Sequence, residues 1–277
     1  MILALRIADW RPKTLLLGAY TLFCVTWYHT IRPIINGNPS VLAALFVVWM
    51  LFCLKNDHDR WAGVLLALAT IKPQAVILVV LLVLLWTAYQ KRWKVWLSFL
   101  LAMGVLAGIS LVLEPGWIPQ YIGQIFSYPG YTTPGTPVKI LSIFFGDVPG
   151  IWAGRLVNII AIGCLVWSWV KAPKQSMPAF LWTFFFTLAL TPLTGIYTAS
   201  SNYIIMLPGI ALLSAAWVRR WGETKALPVI LINYLAVGAG LWWLFYLTLI
   251  GKNYQHPVMV LIFPAYMVFV LLIERKS

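Results

Sequence analysis

Lys72 is the residue whose setting most clearly predicts chemistry. It stands before Pro73 within residues 62–90, an apolar stretch that carries no other charge. An ammonium at a broken helix inside a membrane must pair with an anion or reach water, and a lipid-linked phosphate satisfies it. The alternative is a lysine that only extends to the lipid headgroups. Arg32 and Arg155 stand at the ends of apolar runs, where they either join Lys72 around a phosphate or anchor in headgroups.

The candidate general bases are few. Of seven acidic residues, only Glu114 and Asp147 fall on the side of the membrane that the charge pattern assigns to Lys72. A carboxylate there can take a proton from a hydroxyl nucleophile. Glu114 also ends an apolar run before Pro115, and Asp147 lies in a turn-like Gly-Asp-Val-Pro-Gly sequence, so solvated structural roles remain open for both.

Hydroxyl and amide side chains are concentrated in residues 191–203, which we call the hydroxyl-rich segment. It includes Asn202 and Tyr203, and these groups suit the hydroxyls of a sugar. Helix capping by Ser201 or Asn202 is the alternative. His256, in another loop predicted on the same side, is a candidate proton acceptor or hydrogen-bond partner for a hydroxyl.

The composition excludes a water-soluble fold. Hydrophobic residues make up 62% of the 277 residues and charged residues only 10%, against about 45–50% and 25% in soluble domains. The net charge of +13 comes from short basic clusters between apolar runs, so we expect no nucleic-acid partner. The three cysteines lie inside apolar runs without metal-ligand spacing, so we expect no metal site, and the sequence identifies no cofactor.

The hydropathy pattern predicts an all-α polytopic membrane protein. Residues 1–277 form a single transmembrane domain, and residues 114–150 form a long external loop rich in Pro, Gly and aromatic residues, able either to cover a substrate or to act as an ordered plug. Ten apolar segments are predicted as membrane helices: 15–31, 40–54, 62–71, 75–90, 95–113, 151–170, 178–196, 203–218, 227–249 and 257–273.

The positive-inside rule decides how residues 62–90 cross the membrane. If they form a hairpin broken at Lys72, both termini are cytoplasmic and most Lys and Arg lie inside. The arms of about 10 and 16 residues rise only about 15 and 24 Å, short of the ~30 Å hydrocarbon core. The hairpin tip is therefore expected below the outer surface, in an outward cavity. The external cations are then only Arg32, Lys72, Lys139, Arg155 and Lys252.

Three short sequences resemble glycosyltransferase family 87, in the C superfamily of membrane glycosyltransferases. They are Asn36-Gly37-Asn38-Pro39-Ser40, the run from Ala62 to Pro73, and Leu190-Thr191-Pro192-Leu193-Thr194. The resemblance implies transfer of a sugar, mannose or similar, from a polyprenyl-phosphate donor to a lipid or cell-wall glycan acceptor at the outer face of a bacterial plasma membrane. It implies that Lys72 stabilises the leaving phosphate and that Asn38 contacts acceptor or sugar.

The chain departs from the family pattern at the expected base. In the superfamily an aspartate in the first external loop has that role, but residues 32–39 contain no acid, and Gly37-Asn38 replaces a glycine-glutamine motif. We expect that the chain begins after the family's first span and catalytic loop, has lost catalysis, or uses Glu114 or Asp147 instead. The competing functions are a transporter or flippase of lipid-linked sugars and a non-catalytic partner subunit embedded among membrane lipids.

Overall fold

The computed structural model describes residues 1–131, 135–251 and 256–274, without the side chains of 125, 126 and 128–131. Helices make up nearly all of these residues, and no strand occurs among them. Short 3₁₀ helices cover Ala172–Lys174, Thr191–Thr194, Ser200–Met206 and Pro257–Val260. The α-helices are α1 (Ile2–Ile7), α2 (Thr14–Thr26), α3 (Tyr28–Ile35), α4 (Ser40–Lys55), α5 (Asp59–Ala69), α6 (Pro73–Tyr89), α7 (Trp93–Leu113), α8 (Trp117–Tyr131), α9 (Pro137–Phe145), α10 (Asp147–Lys171), α11 (Met177–Leu190), α12 (Leu207–Ile250) and α13 (Ile262–Glu274).

Five helical stretches among the described residues are long and apolar enough to cross a membrane. They are Trp93–Leu113, Asp147–Lys174, Met177–Thr194, Ser200–Ile250 and Pro257–Glu274. Helices α4 and α6 are apolar but shorter. The predicted all-α, multi-pass membrane class is therefore confirmed, whereas the expected count of about ten spans is not. One reason is that the first predicted span is divided at Trp27, whose ψ of 134° is extended.

Helices α5 and α6 form the two short arms predicted around Lys72. They have 11 and 17 residues, which corresponds to about 16 and 25 Å of rise. Pro73 is the first residue of α6, where its missing N–H is not needed, and Lys72 before it has non-helical dihedrals (φ −130°, ψ 73°). Helix α5 packs between α4 and α7 and touches α6 only slightly.

Two glycine features shape the second half of the described chain. Gly222, with φ +73° and ψ 158°, interrupts the helical dihedrals of α12, so that its two arms match the two separately predicted spans, 203–218 (together with the end of the preceding 3₁₀ helix) and 227–249. Gly150 and Gly154 let α10 approach α9 closely, because a Cβ at Gly154 would lie 2.4 Å from Val138 Cα. Helices α8 and α9 both lie inside the predicted long loop, residues 114–150.

Ion pairs hold together the end of the bundle opposite Lys72, which we call the ion-pair end. Arg92 pairs with Asp57 (3.2 Å) and with Asp59, and donates to Leu54 O (2.9 Å). Lys55 Nζ lies 2.6 Å from Asp9 and also donates to the carbonyls at the end of α1. This is the end that the charge pattern assigns to the cytoplasm.

We expect Arg92→Ala to destabilise the protein by about 3 kcal/mol, because Asp59 would remain enclosed without its cation. The Arg92 and Asp59 side chains are both only 16% exposed. The matched control is Lys13→Ala, which removes an exposed pair with Glu223 whose lysine side chain is 81% exposed. That change should cost less than about 1 kcal/mol. Thermal unfolding in detergent compares the two, and equal melting temperatures would contradict the expectation.

Candidate functional site

The Lys72 side chain is fixed by two polar residues at the beginning of α4. Its ammonium donates to Asn38 Oδ1 at 2.5 Å and to Ser40 Oγ at 2.9 Å. Asn38 Oδ1 also accepts from the Ser40 backbone N–H (3.0 Å) and hydroxyl (2.7 Å), which makes an Asx turn after Gly37 (φ +59°). Three donors therefore converge on one amide oxygen and hold the ammonium in place.

The hydroxyl-rich segment completes this arrangement. Asn202, in the 3₁₀ helix Ser200–Met206, donates to Thr198 Oγ1 (3.0 Å), and its Oδ1 lies 2.9 Å from Ser40 Oγ, where it shares the single Ser40 hydroxyl proton with Asn38 Oδ1. The Asn38 amide donates to Ser201 Oγ at 3.4 Å. We call this set the Lys72 network, and its members are Asn38, Ser40, Lys72, Thr198, Ser201 and Asn202.

The Lys72 network carries a positive charge that no carboxylate balances in the described part of the chain. Ser40 is fully buried, Asn202 is 4% exposed and Lys72 is half-buried. The ion pairs found in the described ranges all use other cations, at the ion-pair end. An ammonium kept among neutral hydroxyls and amides attracts an anion, and a phosphate oxygen can accept its hydrogen bonds.

The depth of Lys72 follows from the helix beside it. Thr70, two residues earlier, lies 3.6 Å from the Met103 sulfur on α7. Helix α7 continues from there to Leu113, and ten further residues rise about 15 Å. The hairpin tip thus lies about half a hydrocarbon thickness below the end of α7.

Part of the predicted long loop, residues 114–150, packs over the hydroxyl-rich segment. Thr198 N donates to Gly135 O at 3.1 Å, and a Cβ at Gly135 would lie 2.4 Å from Thr198 O and 2.8 Å from the Tyr197 ring. The chain that enters α9 therefore covers one side of the Lys72 network. Beneath it, Thr198, Asn202 and Tyr203 line a cavity of about 10 Å³, room for roughly one water.

The comparison with protein families identifies the chain. A model of glycosyltransferase family 87 matches residues 1–192, well over half of the sequence. The chain belongs to glycosyltransferase family 87. No curated protein and no solved structure matches it. Membership indicates a membrane glycosyltransferase with a sugar donor and an acceptor.

The family match includes one part of the Lys72 network. Asn38, Ser40 and Lys72 lie within residues 1–192, whereas Thr198, Ser201 and Asn202 follow the matched part. The sequence analysis predicts Lys72, Asn38 and Asn202 as site residues, and the structure brings the three together. Asn202 lies beyond the residues that the family model matches.

The other predicted cations of this family 87 member lie outside the Lys72 network. The Arg32 guanidinium stands 5.2 Å from the centre of the Phe245 ring, and Arg155 is exposed, 5.1 Å from the Trp152 ring. In the described ranges neither forms an ion pair. Lys252 lies outside the described residues.

Among the hydrogen bonds of the described residues, none joins the predicted bases or the remaining sugar contacts to Lys72. Glu114 and Asp147 are exposed, Glu114 directly after α7 and Asp147 in the first turn of α10. Tyr203 is buried and its hydroxyl donates to Val260 O at 2.6 Å. The His256 backbone N–H donates to Thr248 Oγ1 (3.0 Å), and its buried Nδ1 has no partner among the described residues.

The sequence patterns do not single out Ser40 or His29. Ser40 connects Lys72 to Asn202, and its place at the start of an apolar run was the available signal. His29 is fully buried among the rings of Trp27, Tyr28, Tyr203 and Phe263. The Ser200 backbone is near enough to interact with the imidazole, although neither ring nitrogen has a hydrogen bond of good geometry in the described part of the chain.

Proposed function

We propose that this family 87 member transfers a sugar from a polyprenyl-phosphate donor to a lipid or cell-wall glycan acceptor, with Lys72 holding the donor phosphate. One observation carries the proposal: Asn38 and Ser40 fix the Lys72 ammonium, and no carboxylate of the described chain neutralises it. The proposed sugar is mannose or a similar hexose. The proposed setting is the outer face of a bacterial plasma membrane, since the opposite end carries most of the basic residues.

The proposed chemistry uses the charge that develops during transfer. When the bond between the sugar and the phosphate breaks, negative charge accumulates on the leaving phosphate. A preoriented ammonium in a water-poor site stabilises that charge more in the transition state than in the ground state. Asn38 and Ser40 act as positioning residues, and the amide and hydroxyl groups of Asn202 and Ser201 suit sugar hydroxyls.

The proposed deprotonation of the acceptor has two candidate bases. Glu114 follows α7 on the side of Lys72, and Asp147 begins α10. Both are exposed to the surroundings of the bundle, so an acceptor can reach them. Arg32 and Arg155 remain candidates for further phosphate contacts, and Tyr203 and His256 for sugar contacts.

A second candidate function is donor binding without catalysis, in a subunit that works beside an acid-bearing chain. The observation that favours it is the lack of a carboxylate within the described Lys72 network. Purified wild-type protein that bound the polyprenyl-phosphate sugar but transferred nothing to added acceptors would favour this candidate over the enzyme.

The proposal is tested with Lys72→Met, which keeps the apolar stem and removes the charge. We expect transfer to fall on the order of 100-fold, as when one oxyanion donor is removed, and binding of radiolabelled donor to fall with it. The control is Lys94→Ala, which removes an exposed lysine at the ion-pair end and should leave both unchanged. A monodisperse Lys72→Met protein with wild-type donor binding would overturn the phosphate site.

A further inference from the structure

A groove along the lipid-facing side of the bundle lies between the second arm of α12 and the beginning of α13. The groove has a cavity volume of about 390 Å³, in the range of small-molecule sites. The lining is almost wholly apolar and includes Leu241, Trp243, Leu244 and Phe263. At its inner end the Asn233 amide donates to the Tyr266 hydroxyl and closes the groove.

The length of the groove matches one leaflet of a bilayer. Its lining on α12 extends from Asn233 to Leu244, and eleven residues of helix rise about 16 Å, close to half of the ~30 Å hydrocarbon core. Gly240 lines the groove and faces open space, since a Cβ there would meet nothing within 4 Å. An acyl chain of one leaflet fits this length, whereas a polyprenyl chain is several times longer.

A cation lies close to the other end of the groove. The last lining residue on α12 is Leu244, and the Arg32 guanidinium lies 5.2 Å from the centre of the Phe245 ring, which follows Leu244 in the helix but does not itself line the groove. Among the described residues Arg32 has no carboxylate partner. Phe263, in the groove wall, contacts Trp27 and His29 next to α3, the helix that carries Arg32. An apolar groove one leaflet long thus ends one residue of α12 before the ring that an unneutralised guanidinium covers.

We propose that this groove binds an anionic glycerophospholipid, with one acyl chain between α12 and α13 and the phosphate at Arg32. Arg32 binds phosphate through two parallel N–H donors, which suits a headgroup oxygen pair. The Phe245 ring keeps the guanidinium at the groove mouth. The occupant is a membrane lipid held beside the Lys72 network, and this inference does not depend on sugar transfer.

The experiment measures lipid retained by the detergent-purified protein in native mass spectrometry, with phosphatidylglycerol and phosphatidylcholine added at equal concentration. We expect Arg32→Gln to lower retention of the first phosphatidylglycerol about fivefold, as for one basic residue at an anionic lipid. Gly240→Leu should lower it similarly by filling the groove. The matched controls are Arg60→Gln, which removes an exposed arginine at the ion-pair end, and Gly104→Leu, where a Cβ also meets nothing within 4 Å.

Three results would overturn the proposal. The first is wild-type phosphatidylglycerol retention in Arg32→Gln, and the second is equal retention of phosphatidylcholine by the wild type. The third is displacement of phosphatidylglycerol by an isoprenyl phosphate, which would show that the groove takes the donor lipid. If Gly240→Leu does not yield monodisperse protein, the comparison of Arg32→Gln with Arg60→Gln still decides.

Discussion

Asn38→Asp is expected to leave the fold intact, or slightly more stable, while it lowers binding of the polyprenyl-phosphate donor at least about tenfold. The substitution keeps the shape of the side chain and places a carboxylate where three donors already converge: Lys72 Nζ and the backbone and hydroxyl of Ser40. Hydrogen bonds to charged partners stabilise by about 1.5–3 kcal/mol, against about 0.5–1.5 kcal/mol for neutral ones.

Asn38→Asp also removes the net positive charge that would bind the phosphate. A carboxylate at hydrogen-bond distance neutralises the Lys72 ammonium and repels an arriving phosphate. Tenfold weaker binding corresponds to only about 1.4 kcal/mol, well within the interaction of two like charges in a partly buried site. Stability and donor binding are therefore expected to change in opposite directions, which a purely structural role for Lys72 does not produce.

The matched control for this experiment is Asn36→Asp. Asn36 is exposed and lies two residues earlier in the same turn, so the variant adds the same charge without contacting Lys72. Melting temperature and equilibrium binding of radiolabelled donor are measured for both variants. Equal loss of binding in both would mean that general repulsion, not the Lys72 contact, controls the donor, and unchanged binding in Asn38→Asp would exclude phosphate at Lys72.

The sequence predicts the hairpin and half of the Lys72 network because both depend on local rules. Pro73 forces a helix to begin, and the basic clusters favour two crossings over one. The amide and hydroxyl content of residues 191–203 identifies Asn202 as a candidate. The contact between Asn202 and Ser40, which are 162 positions apart, depends on how α4 and the 3₁₀ helix Ser200–Met206 pack, and no local pattern contains that information.

The span count and the positions of the outlying candidates depend equally on packing. Hydropathy gives separate runs, and the kink at Gly222 keeps two of them as separate arms of α12, but hydropathy does not show that a 3₁₀ turn replaces the end of another run. Arg32 and Arg155 have similar sequence settings, yet one stands at a groove and the other on an exposed face. Only the arrangement of α12 and α13 distinguishes them.

Gly63→Val is expected to be the most destabilising single substitution considered, by about 3 kcal/mol or more. A Cβ at Gly63 would lie 2.1 Å from Ser98 Oγ, 2.3 Å from Val95 O and 2.8 Å from Phe99 N. Two of these atoms belong to the backbone of α7, so no side-chain rotation relieves the overlap. Helices α5 and α7 would have to separate, and α5 leads directly to the turn that holds Lys72.

Separation of α5 from α7 also affects the Lys72 network, because no helix other than α7 packs extensively against that face of α5. Helix α5 packs mainly against α4 and α7, so its displacement moves the hairpin tip relative to Asn38 and Ser40. We expect a large fall in melting temperature together with weaker donor binding in the surviving folded fraction. Gly104→Val on α7, where a Cβ meets nothing within 4 Å, is the control and should change little. A Gly63→Val protein as stable as this control would mean that α5 and α7 do not touch at Gly63, and the half-depth placement of Lys72 would lose its structural basis.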